Sequence, residues 1–324
     1  MSSIFTVSIF QSAMELGCIY ALVALALFIS YSLLNIADLT TDGCFTLGCA
    51  VGAAVTLAGH PYLALFAAMA AGAFAGSITA LLQTKLGVES ILAGIIVNTG
   101  LYTINIAAMG FSSVVNLFGC DTVFSQAKET LGQGFIGDWY KVFVVLLVTV
   151  IICGILVWFL KTRLGMSIRA TGDNPDMVKG SSINPGFMIT VGLCLANSLT
   201  GLSGCLIAQY QKSADINIGT GMVTIALASL IIGETLVGGR YAKGGLIVRI
   251  IGVVFGSVLY RFIVAIALRL SVPAEALKLV SACIVAIAIS YPYFKSRFAL
   301  EQHKRRNRAQ KTVRVKEADD ASNR

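Results

Sequence analysis

Residues 20–53 read YALVALALFISYSLLNIADLTTDGCFTLGCAVGA, and this stretch decides the fold class. The run 16–37 contains no Asp, Glu, Lys or Arg, and a helix that crosses a bilayer needs about 20 mainly apolar residues. Polar residues interrupt the run at 38–42, and a segment rich in Gly, Ala and Thr follows as far as Gly59. The pattern predicts one long membrane helix, a break, and a short second span rich in small residues.

The composition of the whole chain also predicts a membrane protein. Of its 324 residues, 56% are apolar and 12% are charged, and the mean hydropathy is +0.83. An average soluble domain has roughly 25% charged residues, so a water-soluble fold of this size would lack the charge to cover its surface. We therefore predict an all-α polytopic membrane protein.

Nine segments qualify as membrane helices when the charge-free stretches are divided at turns. Gly59-His60-Pro61 divides the longest stretch, and the eighth span is long enough only if it includes Arg249 and Arg261. The predicted spans are 8–34, 41–58, 62–84, 89–110, 142–160, 187–211, 222–237, 245–268 and 275–293. We predict about nine spans, within a range of eight to ten; residues 4–10 lie either flat on the membrane or in part of a tenth span.

The distribution of Lys and Arg predicts the orientation. Basic residues crowd the loop 161–186 and the tail 295–324, which holds ten of the 24 Lys and Arg residues. Short loops rich in Lys and Arg stay on the cytoplasmic side of bacterial membranes, so both regions are predicted to be cytoplasmic. The small loop with Arg240 and Lys243 then also lies inside. The loop 111–141 and the N-terminus lie outside.

The chain divides into a membrane domain, 1–294, and a basic cytoplasmic tail, 295–324, predicted to be disordered. No aromatic residue follows Phe298 in the tail, so we expect it to contact solvent or lipid headgroups and not nucleic acid. The eight cysteines show no metal-ligand spacing. The run from Gly238 to Gly244 lacks the Ser or Thr of a phosphate-binding loop. No cofactor is predicted, and any ATP must be used by another protein.

Polar residues inside the predicted spans have two interpretations. Buried amides and hydroxyls avoid lipid, and therefore they either bond neighbouring helices or line a hydrated pathway. Glycines in the second span either allow close helix packing or form a pathway wall. The candidate pathway residues are Thr46, Gly48, Gly52, Asn98, Asn105, Asn197, Thr200 and Ser203.

Four ionisable residues also fall within spans. Glu15 and Arg261 lie in the outer half of the predicted topology, and Glu234 and Arg249 lie in the inner half. An unpaired charge at mid-membrane costs roughly 2.5–3.5 kcal/mol. We expect pairing at matched depth, or extension of Arg249 to the membrane surface.

The loop 162–184, TRLGMSIRATGDNPDMVKGSSIN, contains a short predicted helix. Asp173 or Asn174 can cap a helix whose first position is Pro175, with Asp176 in its first turn and Gly180 at its end. Two turns are too few to be stable alone, so this helix must pack against something. It is either part of a simple surface loop or a docking helix for a cytoplasmic partner.

The same loop, with its Thr-x-x-Gly-x-x-x-Arg-Ala-x-Gly-x-Asn pattern, resembles the coupling-helix loop of ATP-binding-cassette importer permeases of the branched-chain amino acid/ribose permease family. Residues 20–53 are also similar, and the resemblance covers most of 10–295. The polar run ADLTTDG at 37–43 departs from the usual family pattern. It resembles a subgroup associated with lipoprotein binding proteins for tryptophan or tyrosine uptake.

This resemblance implies a permease subunit of the bacterial inner membrane that makes no bonds itself. It implies three kinds of partner: ATPase subunits, an extracytoplasmic solute-binding lipoprotein, and a second copy or paralogue. The implied solute is small and amino-acid-like, with an aromatic one among the candidates. The residues implied for coupling to the ATPase are Arg169, Gly172, Asp173, Asn174, Pro175, Asp176 and Gly180. The alternatives are an ion- or proton-coupled secondary transporter and an integral-membrane enzyme. Few intramembrane carboxylates and the lack of a catalytic motif argue against them.

Overall fold

The computed structural model describes residues 7–131, 139–237 and 245–269, and six further positions from 276 to 290. The predicted tail lies outside these residues, as do the loop with Arg240 and Lys243 and most of the predicted ninth span, 275–293. The described part is mostly helical, as expected from the composition. It carries several helices suited to a membrane, in keeping with a multi-pass membrane protein.

Six helices of the described part are long and apolar enough to cross a bilayer. They are α1 (Val7–Leu27, continued by a π-helical turn, Phe28–Leu33), α3 (Pro61–Thr84), α4 (Ser90–Ala108), α6 (Tyr140–Lys161), α9 (Pro185–Gln211) and α11 (Leu246–Arg269). Two apolar helices are shorter, α2 (Thr41–Leu57) and α10 (Met222–Val237). Three more lie in connections: α5 (Val123–Leu131), α7 (Arg163–Asp173) and α8 (Pro175–Gly180). The first eight predicted spans each coincide with a helix, and the total of nine stays a prediction.

The bundle has two distinct ends. Strand β1 (Val114–Asn116) follows α4 and pairs antiparallel with β2 (Ser213–Asp215), which follows α9; we call this the sheet end. Helices α7 and α8 connect α6 to α9 at the opposite end, the α8 end. Helix α1 runs from the sheet end, where Glu15 accepts a 2.7 Å hydrogen bond from the Tyr210 hydroxyl, to the α8 end, where Leu33 lies against Gly172.

Helix α2 begins inside the bundle. After α1 the chain is non-helical, and in this segment Asp38 Oδ1 accepts a 2.9 Å bond from the Thr40 amide while Oδ2 accepts a 2.8 Å bond from the Asn197 amide group. From there α2 runs alongside α9 toward the sheet end. The predicted interruption of the second span thus lies before α2, which is itself a continuous helix of 17 residues.

Helix α10 repeats this arrangement in the opposite direction. After β2 the chain re-enters the bundle, and α10 starts beside Asp42 of α2 and runs toward the α8 end. The order of long helix, interruption, short helix and long helix therefore occurs twice, in α1–α2–α3 and in α9–α10–α11. The two units run in opposite directions, and the N-termini of their short helices meet within the bundle.

Small residues bring the central helices into backbone contact. Gly48 of α2 lies against the backbone of Gly201 in α9, and Gly201 in turn lies against Ala68 and Gly72 of α3. The same kind of contact joins Gly233 of α10 to Gly252 of α11. Because lipid is as apolar as the helix surfaces, close van der Waals packing is a principal source of helix association in a membrane.

The ionisable residues are paired differently at the two ends. Arg249 lies 3.4 Å from the Glu234 carboxylate, and both bond to the Ser32 hydroxyl, so the predicted inner pair is confirmed. The predicted pairing of Glu15 with Arg261 is wrong. Glu15 accepts its bonds from neutral donors, and the Arg261 guanidinium lies 3.5 Å from the centre of the Tyr20 ring. The ring face attracts the cation without a carboxylate.

We predict that Gly48→Ala lowers the free energy of unfolding by about 1–3 kcal/mol, the usual cost of adding a methyl group to a packed site. Its new methyl group would meet the Gly201 backbone, which cannot rotate away. Reversible unfolding of the detergent-purified protein by dodecyl sulfate measures the change. Gly154→Ala is the matched control, because that glycine on α6 has open space around its Cα, and equal stability of the two variants would contradict this account of the packing.

Candidate functional site

Helices α7 and α8 form a projection at the α8 end, and each begins at a side-chain cap. The Thr162 hydroxyl caps α7, and Asn174 Oδ1 caps α8 by accepting 3.1 Å bonds from the amides of Asp176 and Met177. The short helix predicted from Pro175 to Gly180 is therefore present, with Asn174 as its cap. Helix α7 occupies a stretch that we expected to be loop.

Buried residues hold this projection on the bundle. Ile168 of α7 packs with Leu34, which follows α1, and with Met188 of α9, and Val178 anchors α8. Gly172 lies against the backbone of Leu33 and Leu34. Among the predicted coupling residues Gly172 is thus partly buried in the packing, and the exposed ones are Arg169, Asp173, Asn174, Pro175, Asp176 and Gly180.

A cavity of about 310 Å³ lies where α2 begins, between α4 and the segment that leads into α10. This volume is at the lower end of the range for small-molecule sites, about 300–1,000 Å³. Most of its lining side chains are uncharged and polar, with one carboxylate and one aromatic ring. The lining residues are Asp42, Gly43, Thr46, Asn98, Thr99, Tyr102, Asn105, Ile216, Asn217, Gly219 and Thr220.

Asp42 joins the two short helices at this cavity. It belongs to the first turn of α2, and its Oδ1 and Oδ2 accept bonds of 2.8 Å and 3.0 Å from the backbone amides of Val223 and Gly221 at the start of α10. A helix N-terminus carries a partial positive charge. The carboxylate therefore lies at two such termini, which stabilise its negative charge, and it fixes α10 to α2.

Asn105 contributes a buried hydrogen-bond acceptor to the wall of the cavity. Its Nδ2 donates a 3.1 Å bond to the carbonyl oxygen of Gly43, which fixes the orientation of the amide. The side chain is only 2% exposed, and its Oδ1 has no hydrogen-bond partner. An acceptor left unpaired in a buried position costs about 1–3 kcal/mol, and so this oxygen favours a ligand that can donate to it.

The structure separates the predicted pathway residues into two groups. Thr46, Asn98 and Asn105 meet at the cavity. The others lie away from the cavity. Gly48 and Gly52 pack against α9, Asn197 bonds to Asp38, and Ser203 bonds to the Ile19 carbonyl, whereas Thr200 bonds within α9 to the Ala196 carbonyl. Asp42 was not among the predictions, although its place in the polar run after the first span was a usable signal. Across the described residues no three His, Cys, Asp or Glu side chains are grouped as a metal site.

Comparison with known proteins gives consistent matches. The family model described as a branched-chain amino acid transport system permease component matches residues 9–289. The tyrosine transport system permease protein of Clostridioides difficile (strain R20291) is 33% identical over 276 residues, which cover 85% of this chain and 88% of that protein. The ribose import permease protein of Escherichia coli (strain K12) is 25% identical over 244 residues, which cover 70% of this chain and 67% of that protein. No solved structure matches the chain.

We predict that Asp42→Ala loosens the start of α10. Loss of a capping side chain costs about 1–2 kcal/mol, and this corresponds to a roughly 5–30-fold change in an equilibrium constant. Hydrogen exchange of the peptide covering 219–225, followed by mass spectrometry, should accelerate by that factor. Asp176→Ala is the control, because that side chain is 91% exposed. Unchanged exchange at 219–225 in Asp42→Ala would refute the capping role.

Proposed function

The chain belongs to the family of branched-chain amino acid transport system permease components, and we propose that it is the membrane-spanning subunit of an ATP-binding-cassette importer for a small amino-acid-like solute. The observation that carries this proposal is the exposed, capped helix α8, braced against the end of α1. The chain itself would form no covalent bonds. Its work would be to change between two conformations in response to a separate ATPase.

Helix α8 is suited to dock in a groove of that ATPase. Asn174 fixes its first turn and Val178 is buried beneath it, so the outer surface presents Met177, Asp176 and Lys179. A helix of six residues is not stable alone, and here the bundle supplies the stability. An exposed apolar side chain such as Met177 is the kind of group that anchors a helix in a partner's groove.

Force applied to α8 would reach the cavity through packed groups. Gly172, just before α8, lies against Leu33 and Leu34 at the end of α1. Those residues lead directly into the non-helical segment with Asp38 and Thr40, after which α2 begins with Asp42 in its first turn. ATP binding by the partner would thereby bias the conformation of α2 and α10 around the cavity.

The remaining partners follow from the two ends of the bundle. The α8 end, with Lys161, Arg163 and Arg169, would face the cytoplasm, and the sheet end would face a solute-binding lipoprotein outside. Val7 at the start of α1 and helix α8 lie at opposite ends, which supports an external N-terminus. A second copy of the chain, or a paralogue, would complete the pathway.

The proposed solute is amino-acid-like, with an aromatic side chain as one candidate. The cavity is small and mostly uncharged, and Tyr102 offers an exposed ring at its edge. The tyrosine transport permease of Clostridioides difficile, which is similar over most of its length, supports the same class.

We predict that Met177→Asp reduces solute-stimulated ATPase activity of the assembled importer at least tenfold. A charge at the centre of an apolar docking contact would have to be desolvated, and a tenfold loss corresponds to about 1.4 kcal/mol of coupling. The measurement uses proteoliposomes that contain the permease, its ATPase and the binding lipoprotein.

Leu86→Asp is the matched control. Leu86 is 65% exposed against 59% for Met177, and it lies in the turn between α3 and α4 at the same end of the bundle. Both variants should elute as monodisperse proteins. Full stimulation of the ATPase in Met177→Asp would exclude docking through α8, and solute uptake without any nucleotide would exclude the importer itself.

A further inference from the structure

The cavity beside Asp42 presents hydrogen-bond acceptors that need donors. Asp42 supplies a carboxylate that accepts backbone bonds from Gly221, Met222 and Val223, and because a carboxylate has about four lone-pair sites, part of its acceptor capacity stays free. Asn105 supplies Oδ1, which is buried and has no partner. The two residues are adjacent in space, because Asn105 Nδ2 binds the carbonyl of Gly43, the residue that follows Asp42.

The described lining of the cavity contains no Lys, Arg or His to occupy these acceptors. The nearby backbone amides at the start of α10 already bond to Asp42, so they are not free to bind an anion. The site therefore differs from a helix N-terminus that binds a carboxylate or phosphate. The free acceptors of the site instead suit a ligand group that has several N–H donors and a positive charge.

We propose that Asp42 and Asn105 form a subsite that binds the ammonium group of the transported solute. An ammonium group has three donors and no acceptor, which matches a carboxylate and an unpaired amide oxygen. Charged hydrogen bonds of this kind are about twice as strong as neutral ones. The inference rests on the proposed function in one respect, since it assumes that the transported solute passes through this cavity.

The subsite would also select between solutes. A solute without the ammonium group would leave Asn105 Oδ1 unpaired, and sites that bury unpaired polar groups reject such analogues strongly. Asp42 would then have two roles, as the cap of α10 and as the counter-charge of the solute. Solute binding would therefore act on the residue that joins the two short helices.

The test measures ligand protection of a cysteine placed in the cavity. Thr99→Cys provides an exposed reporter within the lining, and Thr103→Cys, one turn further along α4 and outside the lining, is the matched control. The purified full chain is labelled with methyl methanethiosulfonate, a small neutral reagent. Peptide mass spectrometry follows the reporter separately from the eight native cysteines.

Three probes of similar size distinguish the chemistry: phenethylamine has an ammonium group, 2-phenylethanol a hydroxyl, and 3-phenylpropionate a carboxylate. We expect phenethylamine alone to slow labelling of Cys at position 99, with no effect at position 103. Asp42→Asn removes the negative charge but keeps one side-chain oxygen that can cap α10. This variant should raise the phenethylamine concentration that halves labelling at least tenfold. Asn105→Leu gives a second test should Asp42→Asn fail to fold.

Three results would overturn the proposal. The first is equal protection by 2-phenylethanol or 3-phenylpropionate, the second is protection by phenethylamine that survives both substitutions, and the third is no protection by any probe. The assay contains no ATPase and no nucleotide. Its failure would leave the importer proposal standing, and failure of the Met177→Asp test would leave the ammonium subsite standing.

Discussion

The position of Asp42 at two helix N-termini is the constraint on which the centre of this structure depends. Neither α2 nor α10 spans the bundle, so the N-terminus of each lies in its interior. The first backbone amides of a helix have no partner within that helix, and inside the bundle they need one from another group. One carboxylate satisfies amides of α10 while it lies in the first turn of α2. The helix dipoles in turn stabilise that charge in a place where an isolated carboxylate would be costly.

Close backbone contact makes this arrangement rigid on one side. Gly48, Gly201 and Gly72 place α2, α9 and α3 against one another with no side chain between them. Polar groups reinforce the packing, since the Cys49 thiol bonds to the Gly204 carbonyl at 3.0 Å and Ser203 bonds to Ile19 at 2.7 Å. The cavity lies on the other side of α2, facing α4, where larger polar residues leave space between the helices.

The sequence predicted what depends on local pattern and missed what depends on tertiary contact. Charge-free runs located the helices within a few residues, and the Asn-Pro-Asp pattern located α8, because hydrophobic length and capping chemistry are local properties. The cavity could not be derived in this way. Asn98 and Asn197 are both amides within spans, yet one lines the cavity and the other bonds to Asp38, and only the packing of α2 decides between them. The all-α prediction missed the two paired strands for the same reason. Each strand is only three residues long, and almost a hundred residues of sequence separate them.

The geometry also limits how the bundle can change conformation. The contacts of α2 with α9 are between backbones, and backbone contacts cannot adapt by rotamer changes, so α2 and α9 should move as one body. The non-helical segment between Leu33 and Thr40 is held at its two ends, by Gly172 of α7 against Leu33 and Leu34 and by Gly94 of α4 against Leu39. A displacement of α7 at the α8 end would therefore reach this segment first, through Gly172. This segment and the one before α10 lead into the two short helices that begin beside the cavity, and Asp42 of the first bonds to the start of the second, so a shift of either segment would change the shape of the site.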